Sequence, residues 1–233
     1  DPKDIPLFII CGLTGTGINM LLFMNGLHHT NPINASLVMT IAPVLVLIFS
    51  YFLIKEKILK INTVGILIAL AGAVYLVYTP GVKFSFDSIK GDLMIFLNAS
   101  SYALYLVLVK RLIKKYNPYT VLMIVFTVGL LFIIPFSFTH IRNVAWSTYD
   151  SSVLYAFGFI LLGTTCMTYF LNVFALQFLK SSTAGTYIYL QPLLAAIFAI
   201  SMGKDSLNMK IILSTILIFA GIYMVSIRQK SKK

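Results

Sequence analysis

Long runs of apolar residues, separated by short polar gaps, dominate the pattern of this chain. An α-helix needs about 20 apolar residues to cross the hydrocarbon core of a bilayer. Eight runs approach or exceed that length: 5–27, 32–54, 61–79, 89–109, 119–139, 153–179, 183–202 and 208–227. The runs are continuous rather than alternating, which favours helices over the strands of a membrane barrel. The pattern therefore predicts an all-α integral membrane protein with eight transmembrane helices.

The composition argues against a soluble fold. Hydrophobic residues make up 59% of the 233 residues and charged residues 11%, whereas soluble domains have about 45–50% and about 25%. The excess apolar surface needs lipid around it, so the lipid bilayer is an expected partner. The net charge of +11 does not indicate a nucleic acid partner, because the basic residues lie in the short gaps between apolar runs.

The basic residues also predict the orientation of the chain. If the N-terminus lies inside, 5 of the 18 Lys and Arg residues fall outside: Lys83, Lys90, Arg142, Lys204 and Lys210. The other 13 fall inside. Because cytoplasmic segments carry the excess of positive residues, we expect a multi-pass protein with both termini in the cytoplasm.

A set of rare landmarks recurs at a spacing of 149 residues. The corresponding pairs are Pro43 and Pro192, Lys55-Glu56 and Lys204-Asp205, and Ala71-Gly72 and Ala220-Gly221. This repeat relates the first three helices to the last three and leaves the fourth and fifth without counterparts. A five-helix unit whose first copy lacks its first two helices explains the pattern, and its odd helix number makes the copies inverted. The predicted units are 1–80, with three helices, and 81–233, with five.

These landmarks resemble the EamA-type transporters of the drug/metabolite transporter superfamily. The similar stretches are 31–36, which leads to Pro43 and Glu56, and 180–185, which leads to Pro192 and Asp205. Members usually have ten helices, so the resemblance implies two further N-terminal helices, about 60 residues, before those found here. It also implies a permease of the bacterial plasma (inner) membrane that works by alternating access, with export (efflux) as the expected direction. The sequence does not determine whether the chain forms a homodimer.

The charged residues narrow the class of substrate. All seven acidic residues lie at or near the ends of apolar runs, and no Lys or Arg lies near the middle of one. Ionisable groups within the membrane mark ion and substrate pathways. Their absence favours a small neutral, zwitterionic or amphipathic metabolite such as an amino acid. The alternatives are a nucleotide-sugar or organic-phosphate exchanger of the same superfamily, and a membrane subunit or fragment that transports nothing.

Neutral polar residues within the apolar runs are the candidate binding residues. Amides and hydroxyls in hydrocarbon need hydrogen-bond partners, which a neighbouring helix or a substrate supplies. Near the midplane, between the repeats, we expect the substrate to meet Asn19, Asn25, Asn98, Tyr102, Tyr105, Tyr187 and Gln191. A change at Ser36 is expected to matter less. Pro43 and Pro192 each remove a helical hydrogen bond and are the candidate hinges.

No sequence pattern indicates an enzyme. His28, His29 and His140 are the three histidines, and their spacing fits no metal site. No Ser or Cys has a plausible base beside it. We therefore expect neither catalysis nor a cofactor or metal ion.

Overall fold

The computed structural model describes residues 1–78, 89–144, 148–203 and 206–226. In this part of the chain, eight helices are long and apolar enough to span a membrane. We label them α1 to α8; their bounds are Pro2–His29, Pro32–Ile54, Lys60–Val77, Ile89–Ile113, Pro118–Arg142, Ser151–Phe178, Ser181–Ser201 and Met209–Ser226. Each contains most of one predicted run, so the all-α membrane fold with eight spanning helices is confirmed. The predicted unit boundary at residues 80 and 81 and the Lys204-Asp205 landmark lie outside the described residues.

Local sequence sets the two ends of α2. The side chain of Asn31 accepts a hydrogen bond from the Asn34 amide at 2.8 Å, and Pro32 occupies the first turn. Such a cap satisfies an amide that has no partner within the helix. At the other end, Lys55 adopts the left-handed conformation with φ of 52°. The left-handed residue ends the helix and turns the chain toward α3.

Irregular turns interrupt the described helices at corresponding places in the two units. α1 contains a π-turn at Leu13–Gly17, and α6 contains one at Ile160–Met167. A shift of 149 residues carries the first segment into the second. α2 breaks at Thr40, and α7 contains a 3-10 turn at Tyr187–Tyr189. The same shift carries Thr40 onto the last residue of that turn, so the backbone irregularities follow the repeat.

The helices α3 and α8, the last of each predicted unit, pack closely in antiparallel directions. A Cβ atom added to Gly65 would lie 2.7 Å from the carbonyl oxygen of Gly221, and one added to Gly72 would lie 3.0 Å from that of Ser214. Gly65 and Ser214 are related by the shift of 149 residues, as are Gly72 and Gly221. The 149-residue correspondence therefore converts one contact into the other, as a two-fold axis does. This exchange supports an inverted repeat.

The helices α1, α4 and α5 form a second closely packed group. A Cβ atom added to Gly12 would lie 2.5 Å from Val128 of α5, and one added to Gly15 would lie 2.5 Å from the ring of Tyr105 of α4. Small residues let helix backbones approach in this way in membranes. The π-turn of α1 thus lies in a tightly packed environment rather than in an open space.

Large apolar side chains cover the outer surface of the helices. Tyr155 is 79% exposed, Met123 is 74% exposed and Phe159 is 69% exposed. A continuous apolar surface of this kind is rare on soluble monomers. In the membrane it contacts lipid, the partner that the composition predicts.

Candidate functional site

A cavity of about 490 Å³ lies between the helices of the two predicted units. Its walls come from α1, α2 and α3 of the first unit and from α7 of the second. The lining residues are Phe23, Leu27, Pro32, Ala35, Ser36, Met39, Thr40, Val77, Ile188, Tyr189, Gln191, Pro192 and Ala195. Binding sites for small molecules enclose about 300–1,000 Å³, so this cavity has room for a molecule of amino-acid size.

The cavity walls are largely apolar and carry no charged side chain. Four polar side chains interrupt them: Ser36, Thr40, Tyr189 and Gln191. The Ser36 and Thr40 hydroxyls donate to carbonyls of their own helix at 2.8 and 2.6 Å, which leaves their lone pairs free to accept. The buried Tyr189 hydroxyl has no hydrogen-bond partner among the described residues. The set suits a ligand that has both donors and acceptors but needs no counter-ion.

Two prolines bring backbone carbonyls without their usual partners to the cavity wall. Proline has no N–H, so the carbonyl four residues before it loses its helical hydrogen bond. That carbonyl belongs to Met39 for Pro43 and to Ile188 for Pro192, where it accepts from the Leu190 amide instead. Met39 and Ile188 both line the cavity. The two residues are also related by the 149-residue repeat. Interrupted helices with unwound backbone beside the site are typical of proteins built from inverted membrane repeats.

A second cavity of about 360 Å³ continues the first toward the start of α2 and the end of α7. The two cavities share five lining residues: Pro32, Ser36, Val77, Pro192 and Ala195. The second cavity reaches Asn208 and Lys210 near the start of α8, where Asn208 is exposed. The cavity system is therefore open at this end of the helices.

The opposite half of the same interface is closed. There the start of α7 packs directly on α2, and a Cβ atom added to Gly185 would lie 3.0 Å from the side chain of Val46. Ser182 is fully buried and its hydroxyl donates a hydrogen bond to the carboxylate of Glu56. No ligand could pass this contact without a separation of the two helices.

The two halves of the interface correspond in position under the repeat but differ in conformation. Under the shift of 149 residues, Gly185 corresponds to Ser36 and Val46 to Ala195. Gly185 and Val46 are in contact, whereas Ser36 and Ala195 line the open cavities. The two units therefore share the same order of helices, but only one of the two corresponding contacts between α2 and α7 is formed.

Comparison with known proteins identifies the family. The EamA-like transporter family matches residues 1–78 and 89–227. The chain belongs to the EamA-like transporter family. This result confirms the resemblance noted in the sequence, and it makes the chain a multi-pass membrane transporter by family.

Individual relatives of this EamA-like transporter support the assignment. The uncharacterized transporter YyaM of Bacillus subtilis (strain 168) is 28% identical over 231 residues, which cover 96% of this chain and 74% of that protein. An uncharacterized transporter of Archaeoglobus fulgidus is 25% identical over 94% of this chain and 75% of its own length. A solved crystal structure superposes with a TM-score of 0.81 at 21% identity, covering 97% of this chain and 77% of that chain. The last comparison shows a shared fold.

Of the residues predicted for the site of this EamA-like transporter, Gln191 and Pro192 line the cavity. Pro43, the other predicted hinge, is buried in the first turn of the second segment of α2. Pro43 does not line the cavity, whereas Met39, four residues before it, does. The structure therefore brings both prolines and Gln191 to one region.

The predicted asparagines make hydrogen bonds within the protein. The Asn19 side-chain amide donates to the Asn98 carbonyl at 3.2 Å, and the Asn98 amide donates to the Asn19 carbonyl at 2.8 Å. Both residues are buried between α1 and α4 and are not among the residues that line the cavity. Asn25 is exposed and donates to the Leu21 carbonyl of its own helix at 2.8 Å. In this conformation the three amides are used in helix packing and within one helix.

The predicted tyrosines also lie away from the cavity lining. The Tyr102 hydroxyl accepts a hydrogen bond from Asn172 at 3.0 Å. Tyr105 is fully buried beside Tyr102, and their ring centroids are 6.1 Å apart. Tyr187 is 42% exposed, and its hydroxyl lies 3.5 Å from that of Ser226. Tyr102 and Tyr105 therefore belong to an aromatic cluster on α4 that packs against α6.

Three polar residues of the cavity were not predicted for the site, namely Ser36, Thr40 and Tyr189. Ser36, which we expected to matter less, borders both cavities. Thr40 and Tyr189 each lie three residues before one of the repeated prolines. Because the turn before a proline loses its helical hydrogen bond, that spacing is the sequence signal that identifies them.

Proposed function

We propose that this EamA-like transporter moves a small neutral, zwitterionic or amphipathic metabolite, such as an amino acid, across the membrane. The observation that carries the proposal is the uncharged cavity of about 490 Å³ between the two units. The Ser36 and Thr40 hydroxyls and the Gln191 amide offer donors and acceptors without a formal charge. Its apolar walls suit an aliphatic or aromatic side chain of the substrate.

The distribution of charge supports an orientation for this cavity. Lys55, Lys57 and Lys60 lie where α2 ends and α3 begins, on the side of the closed contact. Positive residues are enriched on the cytoplasmic side, so we assign the closed half to the cytoplasm. The cavity then opens to the outside. In an inward-open state, the contact between Gly185 and Val46 would open and Ser36 would approach Ala195.

Alternating access follows when the closed half of the interface opens and the open half closes. An inverted repeat lets each unit adopt the conformation of the other, which moves the opening from one side of the membrane to the other. The helix breaks beside Pro43 and Pro192 are the places where α2 and α7 can bend. We therefore assign the hinge role to these two prolines.

A nucleotide-sugar or organic-phosphate exchanger is the alternative within the superfamily. Protein sites for phosphate are rich in Arg and Lys, and the larger cavity has neither in its lining. Lys210 borders only the adjoining cavity, near its open end, and does not line the larger cavity. The cavity chemistry therefore favours a substrate without phosphate.

Counterflow in liposomes tests the substrate class. The purified chain is reconstituted, the liposomes are loaded with one unlabelled solute at a time, and entry of the same radiolabelled solute is measured. We expect exchange of neutral amphipathic amino acids above that of protein-free liposomes, and no exchange of sugar phosphates or nucleotide sugars. Exchange of phosphorylated solutes alone would contradict the proposal. Folded protein that exchanges no solute would favour the non-transporting subunit.

The direction of transport needs a separate measurement. Energised everted membrane vesicles that contain the chain should accumulate the solute found by counterflow, because export in the cell corresponds to uptake in such vesicles. Right-side-out vesicles should not accumulate it. Accumulation confined to right-side-out vesicles would show import and contradict the expected direction.

A further inference from the structure

Four cationic side chains surround a pocket of about 280 Å³ where α2 and α4 end. The lining residues are Leu53, Ile54, Lys55, Lys110, Arg111 and Lys114. No carboxylate lines this pocket, and none of its four cations pairs with a carboxylate in the described part of the chain. Glu56, the acidic residue next in sequence to Lys55, lies outside the lining; its carboxylate accepts a hydrogen bond from Ser182 and also acts electrostatically on Lys110. Four cations therefore face one nearby carboxylate, which leaves the pocket with an excess of positive charge.

Two of these cations are held in position by backbone carbonyls. Arg111 donates to the Leu53 carbonyl in the last turn of α2, and Lys110 donates to the Leu179 carbonyl just after α6. Carbonyls at the end of a helix lack an intrahelical partner and carry partial negative charge. They fix the side chains but do not neutralise them. Because like charges at short range repel, an anion bound among them would stabilise the arrangement.

The surroundings of the pocket favour a phosphate group that is carried by a lipid. Tyr51 and Phe52, in the last turn of α2 beside the pocket, are 57% and 69% exposed. Aromatic side chains at the end of a spanning helix suit the boundary between acyl chains and headgroups. Basic pockets between spanning helices on the cytoplasmic side bind anionic headgroups. This surface lies on the side that the charge pattern assigns to the cytoplasm.

We propose that Lys55, Lys110, Arg111 and Lys114 bind the phosphate of an anionic phospholipid headgroup, such as that of phosphatidylglycerol. This site is separate from the cavity between the repeats, which shares no lining residue with it. It requires no transport activity, so its test is independent of the proposed function.

Lipid binding by the purified full chain tests the proposal. Native mass spectrometry measures the affinity for phosphatidylglycerol and phosphatidylcholine added to the detergent-solubilised protein. The test variant is Lys55→Gln with Lys114→Gln, because Lys110 and Arg111 also hold helix ends together. A juxtamembrane cation contributes about fivefold to the binding of an anionic lipid, so the double variant should bind phosphatidylglycerol about 25-fold more weakly.

A matched control separates the pocket from the general surface charge. Lys57→Gln with Lys60→Gln removes the same charge from the same side of the membrane, at two exposed lysines outside the pocket. This control should keep the affinity of the original chain, and so should Lys55→Arg with Lys114→Arg. Equal losses in the two glutamine variants would overturn the proposal, since diffuse charge would then explain the binding.

Two further outcomes would also overturn the proposed lipid site. Equal affinity for phosphatidylglycerol and phosphatidylcholine would show that the pocket does not recognise the anionic headgroup. Millimolar inorganic phosphate, added to the detergent-solubilised protein before phosphatidylglycerol, should not reduce the amounts of lipid adducts that form. If it instead prevents their formation, the pocket is a site for free phosphate and the lipid assignment is wrong.

Discussion

Gln191 is the predicted binding residue whose position in the structure gives it the clearest role. It lines the cavity between the predicted units, next to Pro192 and three residues after Ile188, which also line the cavity. An amide donates and accepts, so it can hold either end of a zwitterion or a neutral polar group. The Tyr189 side chain also lines the cavity, and its hydroxyl is buried and unbonded among the described residues.

Replacing Gln191 by Ala should lower counterflow about two- to tenfold, because one lost hydrogen bond costs about 0.5–1.5 kcal/mol. The yield of folded protein should stay near that of the original chain, since Gln191 is exposed in the cavity. Asn25→Ala is the matched control, because Asn25 bonds within its own helix. If the two variants transport equally well, Gln191 does not bind the substrate.

The asparagines show what a sequence of this kind leaves open at the residue scale. Asn19 and Asn98 are polar and lie within apolar runs, which correctly indicated that each needs a partner. The partner is the backbone of the facing helix. Nothing in the sequence distinguishes this bond from a bond to a substrate, because a side-chain amide can donate to a backbone carbonyl or to a substrate equally well. The choice depends on which helices face each other.

At the scale of the helix, the breaks in α2 and α7 connect local sequence with the proposed motion. Both breaks precede a proline, and both include residues that line the cavity. The sequence predicted the number of spanning helices, most of their residues and the two kinks, since apolar run length and proline act locally. The π-turns of α1 and α6 were not predicted, because no residue type specifies them in isolation.

Pro192→Ala should slow counterflow more than it changes stability. Alanine restores the missing N–H and favours a straight helix, which should reduce bending beside the cavity while the fold keeps its other contacts. Pro135→Ala is the control, because Pro135 lies inside α5, is exposed and does not line the cavity. Equal counterflow rates for the two variants would show that Pro192 does not act as a hinge.

The contact between α3 and α8 makes a prediction about stability. A Cβ atom at Gly221 would lie 2.4 Å from the Gly65 carbonyl oxygen and 2.6 Å from the Ala69 nitrogen. Gly221→Ala should therefore force the helices apart and lower the free energy of unfolding by about 1–3 kcal/mol. Gly158→Ala, where nothing lies within 4 Å, should be neutral or slightly stabilising. Thermal unfolding of both variants, followed by circular dichroism, tests this; equal melting temperatures would contradict the tight contact.

At the scale of the whole molecule, two related halves of one interface adopt different conformations. The repeat was detectable in the sequence because prolines and Ala-Gly pairs recur in order, and the exchanged contacts between α3 and α8 support it. The difference between the closed and open halves was not detectable. In the proposed alternating-access cycle the same residues form both states, so no residue pattern along the chain favours one state over the other.

Cysteine cross-linking across the two halves tests alternating access, the central claim, most directly. In a background of Cys11→Ala and Cys166→Ala, the pair Glu56→Cys and Ser182→Cys reports on the closed half. The pair Ser36→Cys and Ala195→Cys reports on the open half.

In liposomes, the pair at positions 56 and 182 should cross-link at once, since those side chains already touch. The pair at 36 and 195 should cross-link more slowly, at a rate that a transported solute changes, and either cross-link should stop counterflow until it is reduced. A protein that exchanges solute while the pair at 36 and 195 never cross-links, or that transports unimpaired with either pair cross-linked, would contradict the account.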